Sequence, residues 1–171
     1  MNPAVFYGFS FAHHGKHAAF HGLAAALSDQ KLIDVSPPVP EWLPAPIRDR
    51  LTRRWLRASE WWLYPYFRSR QPRVIHYFFP ENTMVRAAEW KRDHYLIATV
   101  HQPAERMAER ADDPYYAGFI RGLKIADLVV VQSLSQESAV QEILGHDRTA
   151  MVPLGVDASY YQPPSPDSTI C

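Results

Sequence analysis

The run Leu128-Val129-Val130-Val131-Gln132, bracketed by Asp127 and Ser133, decides the fold. A short apolar run rich in β-branched side chains is the signature of a strand covered on both faces. The period then changes. Ser135–Leu144 reads as a helix, with Ser135 as its N-cap, Ser138 in the first turn and Gly145 where a C′ glycine would end it. Ala150–Val152 follows as a short strand ahead of Pro153. Strand, helix and strand in succession describe a crossover between parallel neighbours.

The same alternation extends upstream. Ala4–Phe9, Leu32–Val35, Val74–Phe79 and Tyr95–Val100 read as strands, and His17–Leu27, Ile47–Phe67, Thr83–Trp90 and Tyr116–Ile125 as helices. The expected class is α/β: a Rossmann-like, mostly parallel sheet with helices on both faces. Pro37-Pro38-Val39-Pro40, with Pro44 and Pro46, makes a stiff connector into the long helix, while Gln162–Ser168 reads as a linker. No internal repeat is present.

Composition narrows the function. Eighteen basic side chains balance eighteen acidic ones, which argues against a dedicated nucleic-acid binder. The single cysteine, Cys171, excludes an intrachain disulfide and a thiolate zinc site. The N-terminus has no cationic stretch ahead of its apolar one, so it is not a signal peptide, and no apolar run approaches the roughly 18 residues of a spanning helix. A cytoplasmic location is expected.

In open parallel sheets ligands bind beyond the carboxyl ends of the strands. Those positions hold Ser10–His17, Pro80-Glu81-Asn82-Thr83, His101-Gln102-Pro103-Ala104-Glu105 and Ser133-Leu134-Ser135. Glycines 8, 15 and 22 do not form the G-x-G-x-x-G fingerprint, and no Gly-Lys-Ser/Thr loop exists, which disfavours nicotinamide and P-loop enzymes. Gly15 ahead of a helix permits a hydroxyl or phosphate to approach closely, with Lys16 as an added cation; a simple tight turn explains the glycine equally well. His13, His17 and His21 share a helical stripe, but no acidic residue stands among them and no metal is expected. His101 ends its strand at the cleft, where a neutral imidazole would take a hydroxyl proton or orient a sugar hydroxyl. A buried histidine bonded to nearby backbone fits that position as well.

Ile47–Arg73 differs in character. Eight arginines face only Asp49 and Glu60, and Trp55, Trp61, Trp62, Tyr64, Tyr66 and Phe67 are interleaved with them. Arg53, Arg54, Arg57, Trp61 and Trp62 are candidates for an anionic membrane interface. Stacking on single-stranded nucleic acid would use the same types, and so would a surface helix that turns its aromatics onto the sheet.

Four segments resemble one family, the GT-B glycosyltransferases, and within it the retaining group of sucrose, trehalose and mannosyl transferases. Phe9–Lys16 resembles the acceptor-side loop, Thr99-Val100-His101-Gln102-Pro103 the strand-end histidine motif, and Asp127–Ser133 the sixth-strand segment. Most specific is Val152–Pro163, which is similar to the Pro-x-Gly-Val-Asp…Phe-x-Pro stretch closing the N-terminal domain. The resemblance implies an acceptor-binding domain over residues 1–157 and the start of an interdomain linker over 158–171, with the donor-binding domain not included. It implies hexose transfer from a nucleotide sugar to a glycan or lipid-linked acceptor, with retention and without a metal or other cofactor. His101 would be catalytic; His14, Gly15, Lys16, His21, Glu81, Asn82 and Gln102 would bind acceptor or substrate. The donor half, which grips the diphosphate, would come from the second domain or from a partner chain, and this half alone is expected to be inactive. The alternative is a non-catalytic half-domain that binds a glycan, a membrane or a partner.

Overall fold

The computed structural model describes residues 4–9, 29–40, 42–110 and 112–153. Six strands form one parallel sheet: β1 Val5–Gly8, β2 Lys31–Asp34, β3 Val74–Tyr77, β4 Tyr95–Thr99, β5 Leu128–Val131 and β6 Thr149–Met151. Their spatial order is β2-β1-β3-β4-β5-β6, and every adjacent pair runs parallel. The fold is therefore the Rossmann-like α/β class expected from the alternating pattern. The chain leaves β1 toward one edge and returns across it to β3, so the order reverses between β1 and β3. In such sheets the ligand crevice opens at that reversal.

The described helices are α1 Ala45–Ser59, α2 Tyr64–Phe67, α3 Ala87–Trp90, α4 Ala104–Glu109, α5 Pro114–Ile125 and α6 Leu134–Leu144. The long helix expected over Ile47–Phe67 is interrupted: Glu60–Leu63 tighten into a 3-10 turn between α1 and α2. The helix expected over Thr83–Trp90 is shorter, beginning at Ala87, and Pro80–Asn82 ahead of it form a 3-10 turn. Helix α4 was not expected, because six residues after Pro103 carry too little apolar periodicity to announce themselves. The helix expected over His17–Leu27 lies outside the described residues.

Register explains the core. Val5 pairs with Ile75, Tyr7 with Tyr77, Ile75 with Leu96, Tyr77 with Ala98 and Ala98 with Val129. Paired residues in a parallel sheet share a face, and all of these side chains are buried. Helix α1 covers this face: the Tyr7 and Ser59 hydroxyls lie 2.8 Å apart, and Tyr77 donates to Glu60 Oε1 at 3.1 Å. Ser59 spends its own proton on the Leu56 carbonyl at 2.9 Å, so Tyr7 is the donor between the two hydroxyls. The opposite face carries Phe6, His76, Ile97 and Val130, all half-buried.

Helix α5 positions the turn after β3. A Cβ on Gly122 would collide with the carbonyl oxygen of Met84 and come within 2.9 Å of its Cγ, so only glycine allows this approach. At α6 the N-cap is Ser133, two residues ahead of the expected Ser135; its Oγ accepts from Gln136 N at 3.2 Å. Gly145 ends the helix in the left-handed region, at φ 71°, as a C′ glycine should.

Candidate functional site at the strand ends

Beyond β3, β4 and β5 the chain builds a compact polar network on an aromatic floor. Phe79 packs on Phe9 with ring centroids 4.9 Å apart, and the His101 ring lies over Phe79 at 4.4 Å and against Phe78 at 5.1 Å. His101 Nε2 faces the Phe78 carbonyl at 2.8 Å, and Nδ1 faces Gln132 Nε2 at 2.6 Å. A carbonyl only accepts, so Nε2 carries the proton; the Gln132 amide then donates to the Nδ1 lone pair. The imidazole spans β3, its own β4 and β5.

Glu81, in the turn after β3, is buried, and its Oε1 accepts from His101 N at 2.6 Å and from Gln102 N at 3.0 Å. Burial pushes its carboxyl up to about 7, against the opposing effect of those amides. Gln136 supplies the other clamp. Its Oε1 accepts from Gln132 N at 2.8 Å, while its Nε2 donates to Gln102 O at 2.9 Å and Val100 O at 3.3 Å. Gln102 Oε1 is buried and, among the described residues, has no hydrogen-bond partner. Beneath the network, His76 Nε2 shares a hydrogen bond with Thr99 Oγ1 at 2.7 Å. Burial, and to a lesser extent the neighbouring His101, lowers His76 to about 4, so it stays neutral.

The family model described as Glycosyltransferase Family 4 matches residues 11–160, which takes in β2 through β6 and every residue of this network except Phe9. The chain belongs to Glycosyltransferase Family 4. It is a GT-B N-terminal-type domain, and its six-stranded parallel sheet agrees with that assignment. No curated protein matches it.

Of the site residues expected in this Family 4 domain, the structure brings together His101, Gln102 and Glu81. Asn82 closes the same 3-10 turn as Glu81. His14, Gly15, Lys16 and His21 lie outside the described residues. Gln132, Gln136, Phe78 and Phe79 join the site without having been singled out. One signal for the glutamines was present: Ser133-x-x-Gln136 is a capping box, in which the N3 side chain reaches back toward the chain entering the helix. Here it reaches one residue further back, to Gln132 N.

The basic, aromatic segment is partly exposed and partly stacked. Arg53, Arg54 and Arg57 are exposed, and Trp61 and Trp62 are half-exposed. Trp61 packs on Trp90 at 5.1 Å beneath the Arg86 guanidinium at 4.8 Å, and Trp62 sets its edge on Trp55 at 5.9 Å. Among the described residues no helix is long and apolar enough to cross a membrane, and no three His, Cys, Asp or Glu side chains gather as a metal site would require.

Proposed function

We propose that this Family 4 domain is the acceptor-side half of a hexosyltransferase, holding a glycan or lipid-linked acceptor against the ends of β3, β4 and β5. The observation that carries it is the His101 ring fixed between Phe78 O and Gln132, next in sequence to Gln102, whose buried oxygen has no partner among the described residues. Sugars are recognised by faces that stack on aromatic rings and by hydroxyls that both donate and accept. The half-buried Phe78 and Phe79 carry the His101 ring, so recognition here rests on the hydroxyls: Gln102 Oε1 would accept from one, and His101 Nδ1 from another once Gln132 turns aside. In the overall reaction the acceptor oxygen replaces the diphosphate oxygen at the anomeric carbon of the hexose. The acceptor proton leaves with the nucleoside diphosphate. A donor-binding half, in the same polypeptide or on a partner chain, must hold the nucleotide sugar and stabilise that leaving group, so this half transfers nothing alone. Glu81 serves by holding the His101 and Gln102 main chain. Saturation-transfer NMR with methyl hexosides and octyl glucoside tests the reading: transfer to ring protons is expected, and no transfer at millimolar sugar would contradict it.

A second role for the same domain, at an anionic membrane surface in the cytoplasm, is favoured by the outer side of α1. Ile47 and Leu51 are exposed there among Arg53, Arg54 and Arg57, and the half-exposed Trp61 and Trp62 follow on the adjoining 3-10 turn. That combination suits a headgroup boundary, where apolar rings enter and cations meet phosphate. A lipid-linked acceptor would then meet the strand-end site from the membrane.

A further inference from the structure

We infer that Gln132 is a positioning residue for His101: its carboxamide fixes the ring as the neutral, Nε2-protonated form and occupies the place at Nδ1 that an acceptor hydroxyl takes. Its functional meaning rests on the acceptor-site reading above, but its geometry does not.

The hydrogen bonds leave little freedom. Nε2 faces a main-chain carbonyl at 2.8 Å, and Phe78 O cannot turn away without disturbing the end of β3. Nδ1 faces the side-chain amide of Gln132 at 2.6 Å, and a side chain can turn away. Gln132 is itself held at its base, because its N–H donates to Gln136 Oε1 at 2.8 Å. The orientation of Gln136 is unambiguous: its Nε2 donates to two carbonyls, Val100 O and Gln102 O, so its oxygen must be the atom that faces Gln132 N. Gln136 therefore fixes the backbone of Gln132, and Gln132 fixes the ring.

A protonated His101 would present an N–H at both nitrogens. The Nδ1–H would then meet the N–H of Gln132, and the contact would survive only if the carboxamide turned over to bring its oxygen to the ring. Among the described residues, the titratable groups placed against His101 are His76 on β3 and Glu81 on the following turn, while β5 and α6 bring the uncharged Gln132 and Gln136. A hydroxyl approaching Nδ1 makes the same kind of bond that Gln132 makes, a donor to a nitrogen lone pair. Gln132 thus preorganises the ring for such a donor and must swing aside to admit it.

Nitrogen-15 NMR of the imidazole in the sugar-free protein tests this directly. In the wild type at pH 7.5, His101 is expected as the Nε2–H tautomer with an unprotonated Nδ1. A ring protonated on Nδ1, alone or in addition to Nε2, would overturn the inference. Gln132→Glu replaces a donor with an acceptor and is expected to raise the proton affinity of His101 at least about tenfold, one pKa unit. Gln132→Met removes the donor alone and is expected to shift the titration in the same direction by less. A Gln132→Glu titration within about a factor of two of wild type would overturn the inference, and should that variant fail to fold, the wild-type tautomer still decides it. No sugar enters these measurements, so they fail independently of the acceptor-site reading.

Discussion

Glu81 holds the main chain of His101: the carboxylate oxygen Oε1 accepts the His101 amide at 2.6 Å and the next amide, that of Gln102, at 3.0 Å. An acidic residue at the end of one strand thereby fixes the backbone at the end of its neighbour. The His101 ring takes its orientation from that backbone.

Glu81→Ala would leave two part-buried N–H groups without an acceptor. Each such loss costs about 1–3 kcal/mol, so a fall of roughly 2–6 kcal/mol in unfolding free energy is expected by urea titration. An unchanged midpoint would mean that the turn re-forms without the carboxylate.

Two buried carboxyls make stability depend on pH. Burial pushes Glu60 up to about 7 despite bonds from the Arg86 and Val85 amides and the Tyr77 hydroxyl, and pushes Glu81 up to about 7 as well. In the unfolded chain both return to the ordinary value of 4.5. Between 4.5 and 7 the folded state therefore holds more protons than the unfolded one, and stability falls as pH rises. The contribution is complete below 4.5 and gone above about 7, on the order of 3 kcal/mol for each carboxyl. His76, held at about 4 in the folded state against 6.5 in the unfolded one, opposes one carboxyl below pH 6.5. Glu60→Gln is therefore expected to leave Tm nearly flat between pH 5 and 6.5, where that of the wild type falls. A slope identical to wild type would exclude Glu60 as its source.

Gly122→Ala has a sign opposite to helix propensity. In an exposed helix the change would stabilise by about 1 kcal/mol. Here the added methyl meets the Met84 carbonyl, a backbone atom with little room to yield, and overpacking of this kind costs about 1–3 kcal/mol. Gly118→Ala meets side-chain atoms, Val85 Cγ1 at 3.3 Å and Arg121 Nη2 at 3.9 Å, so a shift of a few tenths of an ångström offsets the gain in propensity and the change is expected to be near neutral. Comparable Tm changes for the two variants would contradict the close approach at Gly122.

The outer side of α1 gives a salt-dependent prediction. Each arginine near an anionic surface contributes about 1 kcal/mol, so co-sedimentation with phosphatidylglycerol vesicles is expected to fall at least about tenfold in the triple variant Arg53→Gln, Arg54→Gln, Arg57→Gln. Binding that is indifferent to those substitutions and to salt would remove the electrostatic surface.

The parts of the fold written in local pattern were legible in the sequence. Leu128–Val131 and Tyr95–Thr99 announce themselves as buried strands, and Gly145 marks its helix end. Strand order was not legible, because pairing is non-local: nothing in Lys31–Asp34, half-polar and at the sheet edge, states that it lies beside β1. The long basic helix hid two facts for the same reason. Glu60 reads as one more charge on a solvated face, yet it is fully buried, since the Val85 and Arg86 amides that receive it come from a distant segment. Trp61 reads as an outward-facing aromatic, yet it stacks on Trp90. At the site, His101 was visible as a strand-end histidine, but the glutamines that set its protonation were not, because a hydrogen bond between β4 and β5 leaves no periodic trace.

The most direct measurement is an amide nitrogen–proton shift map of the chain titrated with methyl hexosides. Largest shifts at Glu81, His101, Gln102 and Gln132, with little change along α1, are the expected result. Saturable shifts confined to α1, or none at any residue, would contradict a sugar-binding site at the strand ends.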